Sequence, residues 1–546
     1  MNTFNWEEKA KNLSWFNDSN FNIAHNVLDK HLSEGNGDKK ALIFEDDEGN
    51  ITEYTFAQLV DETNKVANLL SQNAVTKGDR VFIFLPRIPE LYINFLGVIK
   101  TGAIAGTMFA ALGSDALRDR LNNSKAIAIF TTKELADRIK PIIDELPDLK
   151  HIFIVDDSPY KKELTQMSDS YSTAHTKPED YAFMLYTSGT TGLPKGVVHA
   201  HYSLLQQIES AKFCLDLKPN DIYWCTADPG WVTGIVYGIL TNLSLGITSF
   251  VHNGKFEPEK WYSLIEKHKI SVWYTAPTAI RMLMAKGDKL LEKYDLSSLR
   301  YLASVGEPLN PEALLWSHKV FKGNYFHDTW WQTETGSIMI ANTPGLELRP
   351  GSMGKPLPWV EAAIVNDDGT PMPDGEEGNL VIKSPWPSIM RTIWQNKERY
   401  DSCFLNGWYF SGDHAKKDPD GFYWFIGRAD DVIMTSGERV GPFEVESALI
   451  SYPGVIEAGV IGKPDELRGE IIKAFVVLNS DNEGTEELKN KLQNHVKKHL
   501  SAHAYPREIE FIDKLPKTRS GKIMRRILKA KELGHPIGDI STLEDY

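Results

Sequence analysis

The sequence predicts an α/β protein: a large multi-layer α/β N-terminal domain followed by a small α+β C-terminal domain. Short apolar runs alternate with helix-period segments through most of the 546 residues, as expected for parallel strands joined by helices. That pattern breaks near Asp430, where a compact unit of different character begins. The length also exceeds one ordinary domain of about 100–200 residues. The division falls at residues 1–430 and 431–546.

The elements follow in chain order. Val66, Leu69 and Leu70 share one helix face, and Val81 to Leu85 is a short buried strand. Ile127 to Phe130 and Ile152 to Val155 read as further strands. Ile235 to Val251 is the stretch closest to a membrane span, but Thr241, Asn242 and two glycines make it a buried helix and strand. After Asp430, Glu444 to Ser451 reads as a helix with Val445, Ala448 and Leu449 on one side. Val455 to Ile461 and Lys473 to Leu478 read as strands. Leu488, Leu492, Val496 and Leu500 recur every four residues, the mark of an amphipathic helix.

Composition narrows the function. Hydrophobic residues make up 42% and charged residues 25%, with a net charge of −14. An acidic chain lacks the basic footprint of a nucleic-acid binder. Cys214, Cys225 and Cys403 have neither disulfide-rich nor metal-ligand spacing, which fits a reducing cytoplasm. Met1 to Asn12 does not read as a signal peptide. No nucleic acid and no membrane are expected as partners.

The strongest motif runs Thr187-Ser188-Gly189-Thr190-Thr191-Gly-Leu-Pro-Lys195-Gly196, after the apolar Ala182 to Tyr186. Glycines bring backbone N–H groups close to phosphate oxygens. Hydroxyls add donors, and Lys195 adds a point charge. A Walker A loop requires glycine before the lysine and serine or threonine after it. Here Pro194 precedes and Gly196 follows, so that motif fails. The plainer alternative is a polar surface loop between strand and helix.

Farther on come Ser304-Val305-Gly306-Glu307-Pro308 and Asp328-Thr329-Trp330-Trp331-Gln332-Thr333-Glu334-Thr335. Two adjacent indoles can form one flat apolar wall, and the Glu334 carboxylate can hold Mg²⁺ beside phosphate. A core aromatic pair is the plainer alternative. Then follow Tyr409-Phe-Ser-Gly-Asp413 and Gly427-Arg428-Ala-Asp-Asp431; as isolated residues, Asp413 would be a turn residue and Arg428 a surface cation. A basic cluster from Lys517 to Lys529 is, by itself, usually a solvated tail.

Taken together, from about Thr55 to Leu528, these motifs resemble the adenylate-forming superfamily of acyl-CoA synthetases, luciferases and peptide-synthetase adenylation domains. The resemblance implies ATP-dependent activation of a carboxylic acid, then transfer of the acyl group to coenzyme A. It implies that Thr187 to Lys195 meets pyrophosphate. Gly306, Glu307, Pro308 and Asp328 to Thr333 would form the adenine site. Tyr409 to Asp413 resembles the family's ribose-binding strand, so Asp413 would accept from both ribose hydroxyls, Arg428 would meet ribose and phosphate, and Arg439 phosphate. Glu334 would meet Mg²⁺. Lys522, in Pro516-Lys-Thr-Arg-Ser-Gly-Lys522, would be the catalytic lysine of a mobile C-terminal domain hinged at Asp430.

The second tryptophan resembles the acetate-activating version of the motif. Trp331 would close an acyl pocket walled by Val232, Thr233 and Val305, so acetate is the expected acid and propionate or a slightly longer acid the alternative. Ser436 and Gly437, with Thr233, would approach the pantetheine arm of coenzyme A. Arg118, Arg120 and Arg138 are unranked candidates for its nucleotide. Two departures stand out. Glu438 replaces a histidine common in relatives, and Tyr452 replaces a histidine of a metal loop, so no second metal site is expected. Acetylation of Lys522 by an acetyltransferase, reversed by a deacetylase, would remove the needed charge.

Overall fold

A computed structural model describes residues 4–16, 20–187, 194–436, 438–480, 482–500, 503–518, 522–537 and 543. The expected strands fall at Arg80–Phe84, Ala128–Thr131 and His151–Ile154. With Ile104–Thr107 and Tyr181–Thr187 they run parallel inside a seven-stranded sheet. The central strands are buried throughout, which is why they read as continuous apolar runs. The helix Phe56–Gln72 starts at a capping box, in which Thr55 and Gln58 satisfy each other's backbone N–H groups. Its Val66, Leu69 and Leu70 are fully buried.

A second, fourteen-stranded sheet has two parts. Lys40–Glu45, Thr248–His252, Ile222–Cys225, Val272–Thr275, Tyr301–Val305 and Phe326–Trp330 are parallel neighbours. Beyond Phe326–Trp330 the sheet turns antiparallel and includes Tyr423–Arg428 and Trp408–Lys417. A helical run from Val232 to Ser244 precedes Thr248–His252, as read for the apolar stretch there. One continuous core carries side chains of both sheets, among them Ile83, Leu185, Tyr274 and Val305. Among the described residues, no helix is long and apolar enough to cross a membrane.

The chain leaves the large sheet after Arg428 and enters a separate five-stranded sheet at Ile433. There Val455–Asp465 and Gly469–Leu478 pair antiparallel. The helices Pro442–Ile450 and Glu486–His499 share a core with them that includes Val445, Leu449, Leu492 and Val496. The solvated-tail reading of the basic cluster fails. Lys517 is buried against Glu457 in an ion pair, and Arg525 grips Glu446 at 2.6 Å from the helix Arg525–Leu533. Basic residues are bound here because buried carboxylates demand partners.

In the parallel parts, Tyr181–Thr187, Tyr301–Val305 and Phe326–Trp330 all end in segments singled out above. Carboxyl ends of parallel strands are where open α/β sheets hold ligands.

Candidate active site

Asp413 is the centre of the arrangement. It sits on Trp408–Lys417 directly opposite Arg428 on Tyr423–Arg428, a register pair that puts both side chains on one face. Arg428 Nη1 donates to Oδ1 at 2.8 Å. Trp330 Nε1 donates to Oδ2 at 2.9 Å, and Gln332 Nε2 donates to the same oxygen at 3.1 Å. Gly412 makes room: a Cβ there would press on the Arg428 guanidinium at 3.3 Å, and its φ of +71° suits glycine. The Asp413 carboxylate raises the Arg428 pKa above its ordinary value. Three protein donors occupy most of the roughly four acceptor positions of a carboxylate. This tempers the expected double acceptance from ribose.

Lys522 comes from the small unit and reaches the same place. Its backbone N–H donates to Thr518 Oγ1 at 3.1 Å, and Lys517 pairs with Ile523 across the loop. The residue is exposed to solvent, yet its side chain stands among the charges of Arg428, Asp413, Arg525 and Asp431. Burial, then the neighbouring Arg428, hold its ammonium pKa below the usual lysine value, while Asp413 and Asp431 partly restore it.

Thr187 and Lys195 face each other at the ends of an antiparallel strand pair, Tyr181–Thr187 and Lys195–Ala200. The glycine-rich segment therefore joins two strands, not a strand and a helix. Ser188, Gly189, Thr190 and Thr191 lie outside the described residues. Burial, then Arg399, lower the Lys195 pKa, and Glu334 opposes them. Glu334 also raises Arg428, so one carboxylate faces cations from two strands. The turn carrying it is tied down through its backbone oxygen, which accepts from Met390 N at 2.9 Å. Beside it, His199 Nε2 lies 2.9 Å from Thr333 O.

The adenine-side segments are more committed than their sequence suggests. Gly306, at φ +94°, has nothing within 4 Å of where a Cβ would stand, so open space lies beside it. Glu307, before Pro308, accepts from Thr278 Oγ1 at 2.7 Å and from Arg281 Nη2 at 2.9 Å. Asp328 accepts from Ser304 Oγ at 2.8 Å, and burial pushes its carboxyl up to about 7. Thr329 Oγ1 donates to Ser304 O at 2.7 Å.

The two tryptophans do not form one wall. Neighbours at the end of a strand point to opposite faces. Trp330 enters a core with Met390 and Tyr409, whereas Trp331 enters the core of Val232, Val305, Tyr237 and Tyr274. Trp331 meets Tyr237 edge-on at 5.0 Å and donates from Nε1 to Tyr274 Oη at 3.4 Å. Thr233 is buried on the short helix Val232–Ile235. Tyr237 and Tyr274 escaped sequence reading because no motif marks them, whereas Tyr409 opens the Tyr409 to Asp413 motif and only its partner was hidden.

Other expected residues stay apart. Arg439 is exposed on Glu438–Val440, and its charge acts on His414 and Glu377. His414 follows Asp413 and faces away from it, so in this arrangement Arg439 does not join the Lys522 group. Ser436 is exposed, with φ +55°; Gly437 lies outside the described residues. Asp430 is exposed in the turn between the sheets. Arg118 is taken by Asp115 and Asp119, and Arg138 donates to Ala110 O and Leu112 O. Arg120 lines a small cavity with Phe109, Tyr186 and Trp231, next to Val232 in the chain. Tyr452 packs edge-on against His495 at 5.3 Å.

No three His, Cys, Asp or Glu side chains converge on a metal position among the described residues. The half-buried Glu334, whose carboxylate faces Lys195 and Arg428, nonetheless fits Mg²⁺. That ion keeps its waters and binds through one or two carboxylates plus substrate phosphates.

The sheet plan and this cluster define an AMP-binding enzyme. The AMP-binding enzyme family matches residues 29–394, and its C-terminal domain matches residues 444–522; the chain belongs to that family. It is 52% identical to the acetyl-coenzyme A synthetase of Bacillus subtilis (strain 168), over 99% of this chain and 96% of that one. It is 42% identical to the acetyl-coenzyme A synthetase of Streptomyces coelicolor, over 97% and 86% respectively. Among solved structures, it resembles a Brucella canis acyl-CoA synthetase at 35% identity and TM-score 0.76, over 97% of this chain and 98% of that one. It also resembles an anthranilate CoA ligase in complex with anthranoyl-AMP, at 30% identity and TM-score 0.87, over 96% and 99%.

Proposed function

We propose that this chain is an AMP-forming acetate–CoA ligase. Acetate attacks the α-phosphorus of ATP, giving acetyl-adenylate and pyrophosphate. The thiol of coenzyme A then attacks the acyl carbon, and AMP leaves with the C–O bond electrons. The observation carrying this reading is a single peptide unit. Trp330 is bonded to the Asp413 carboxylate, while the next residue, Trp331, lines an apolar core. A sugar held at Asp413 and a short acyl group held at Trp331 would lie within reach of each other.

In this reading, Lys522 neutralises charge developing at the α-phosphate, an electrostatic role that needs no proton transfer. Lys195 and the hydroxyls after Thr187 receive pyrophosphate. Mg²⁺ held at Glu334 would neutralise phosphate charge. The units are 1–430 and 431–546. Rotation about Asp430 withdraws Lys522 and brings Ser436 and Gly437 toward the thiol path near Thr233, carrying Arg439 with them. Acetylating Lys522 would remove the charge and stop the first step, making the lysine a target for an acetyltransferase and a deacetylase. The three cysteines, free of disulfides, accord with work in a reducing cytoplasm.

Acid-dependent ATP–pyrophosphate exchange tests the reading. Acetate should support the fastest exchange and propionate a weaker one, since one methylene is worth only about 1–3 kcal/mol. Butyrate and octanoate should support little. Octanoate exchanging as fast as acetate would exclude a short-acid ligase.

A further inference from the structure

We infer that Tyr409 is a positioning residue for sugar recognition, acting through Gln332 on the Asp413 carboxylate. The inference rests on the ATP-dependent reading above and adds a determinant of nucleotide specificity to it. Tyr409 stands on the same strand as Asp413 and is 2% exposed. Its hydroxyl donates to Gln332 Oε1 at 2.8 Å. Gln332 Nε2 then donates to Asp413 Oδ2 at 3.1 Å and to Ser411 O at 2.9 Å.

The geometry admits only one orientation of that amide. A carboxamide presents two N–H donors at one end and an acceptor at the other. Turned over, Gln332 would aim its oxygen at the Asp413 carboxylate and at Ser411 O, and its nitrogen at a phenol that now donates. Burial lifts the Tyr409 phenol well above its ordinary pKa, so the hydroxyl keeps its proton. Removing the hydroxyl takes the donor from a half-buried amide oxygen and loosens the amide that braces Oδ2.

The bracing matters because little acceptor capacity is left. Arg428, Trp330 and Gln332 already donate to Asp413. Two vicinal hydroxyls must share what remains, so small changes in carboxylate angle decide how well a ribose fits. A 2′-deoxyribose, asking for less, should feel such changes less.

The test is calorimetric titration with ATP and with 2′-deoxy-ATP, without acid or turnover, on wild type, Tyr409→Phe, Gln332→Met and the double variant. Phenylalanine keeps the ring packing against Trp386 and Phe404. Wild type should prefer ATP. Tyr409→Phe should lose roughly tenfold in ATP affinity and most of that preference, about the value of one braced hydrogen bond. The double variant should be no worse than Gln332→Met, because the two residues act in series. In steady state, KM for acetate should not move. An unchanged ATP to 2′-deoxy-ATP ratio in Tyr409→Phe, or additive losses in the double variant, would overturn the inference while leaving the ligase reading intact. Wild type failing to bind ATP would sink both.

Discussion

Asn310 of the large unit donates from Nδ2 to Ser447 Oγ of the small unit at 2.9 Å. The bond extends on both sides. Asn310 Oδ1 accepts from Arg281 Nη1 at 2.9 Å, and Arg281 holds Glu307 in the Gly306–Pro308 segment. Next to Ser447, Glu446 holds Arg525, three residues beyond Lys522. Against its burial, Glu446 and then Asp431 raise the Arg525 pKa, with Glu307 adding to them. Polar contacts thus run from the adenine-side segment to Ser447, whose chain neighbour Glu446 holds Arg525 beside the loop bearing Lys522.

Ser447→Ala should therefore weaken the arrangement that brings Lys522 to Asp413. One neutral hydrogen bond is worth about 1 kcal/mol, so ATP–pyrophosphate exchange should fall about fivefold. Thioester formation from supplied acetyl-adenylate should hold or rise. Equal slowing of both half-reactions would mean the bond serves stability alone.

Lys522→Ala should reduce exchange by at least about 100-fold, the usual loss on removing one electrostatic stabiliser. Thioester formation from acetyl-adenylate should survive. In the wild type, exchange should decline on the alkaline side with an apparent pKa below the ordinary lysine value of 10.5. The needed species is the ammonium, and its lowered pKa brings deprotonation to lower pH. A wild-type exchange rate that stays flat to pH 11 would contradict this placement of charge.

Trp331→Gly should open the core between Tyr237, Val232 and Val305 to longer acids. Butyrate and hexanoate, two and four methylenes longer than acetate, should become substrates, gaining at least about tenfold relative to acetate, since each accommodated methylene is worth about 1–3 kcal/mol. Measuring kcat/KM across the acid series decides it. If butyrate and hexanoate stay inert, the indole is not the gate.

Asp328 supplies a pH signature of stability. Burial raises its carboxyl from 3.8 to about 7. Between those values the folded state holds a proton that the unfolded chain has released, so stability falls as pH rises from about 4 to about 7. Asp328→Asn cannot titrate there. Urea melts at pH 5 and pH 8 should show the variant gaining on wild type by about 2–4 kcal/mol over that interval. Parallel pH profiles would show that Asp328 ionises as freely folded as unfolded.

Local physics made most of the strands and helices legible. Arg80–Phe84 and Glu486–His499 advertise themselves through contiguous or four-residue apolar spacing, and periodicity is a property of neighbours in the chain. The motif residues were legible too, because the superfamily's order of motifs runs along most of the sequence. Their partners were not. Tyr409 meets Gln332 across 77 positions, Trp331 meets Tyr274 across 57, and Asn310 meets Ser447 across 137.

By itself the sequence determined the layered α/β plan, the small α+β unit after Asp430 and the side-chain types available for phosphate, sugar and acid. Tertiary structure alone decided that Trp330 and Trp331 serve opposite faces, that Glu307 is bound by Arg281, that Arg439 stands away from Lys522 and that Asp413 is braced from three sides. The reason is the range of the forces. Periodic burial is set by residues a few positions apart, whereas hydrogen bonds and charge pairs require atoms within about 3 Å, and only the folded sheets bring distant positions that close.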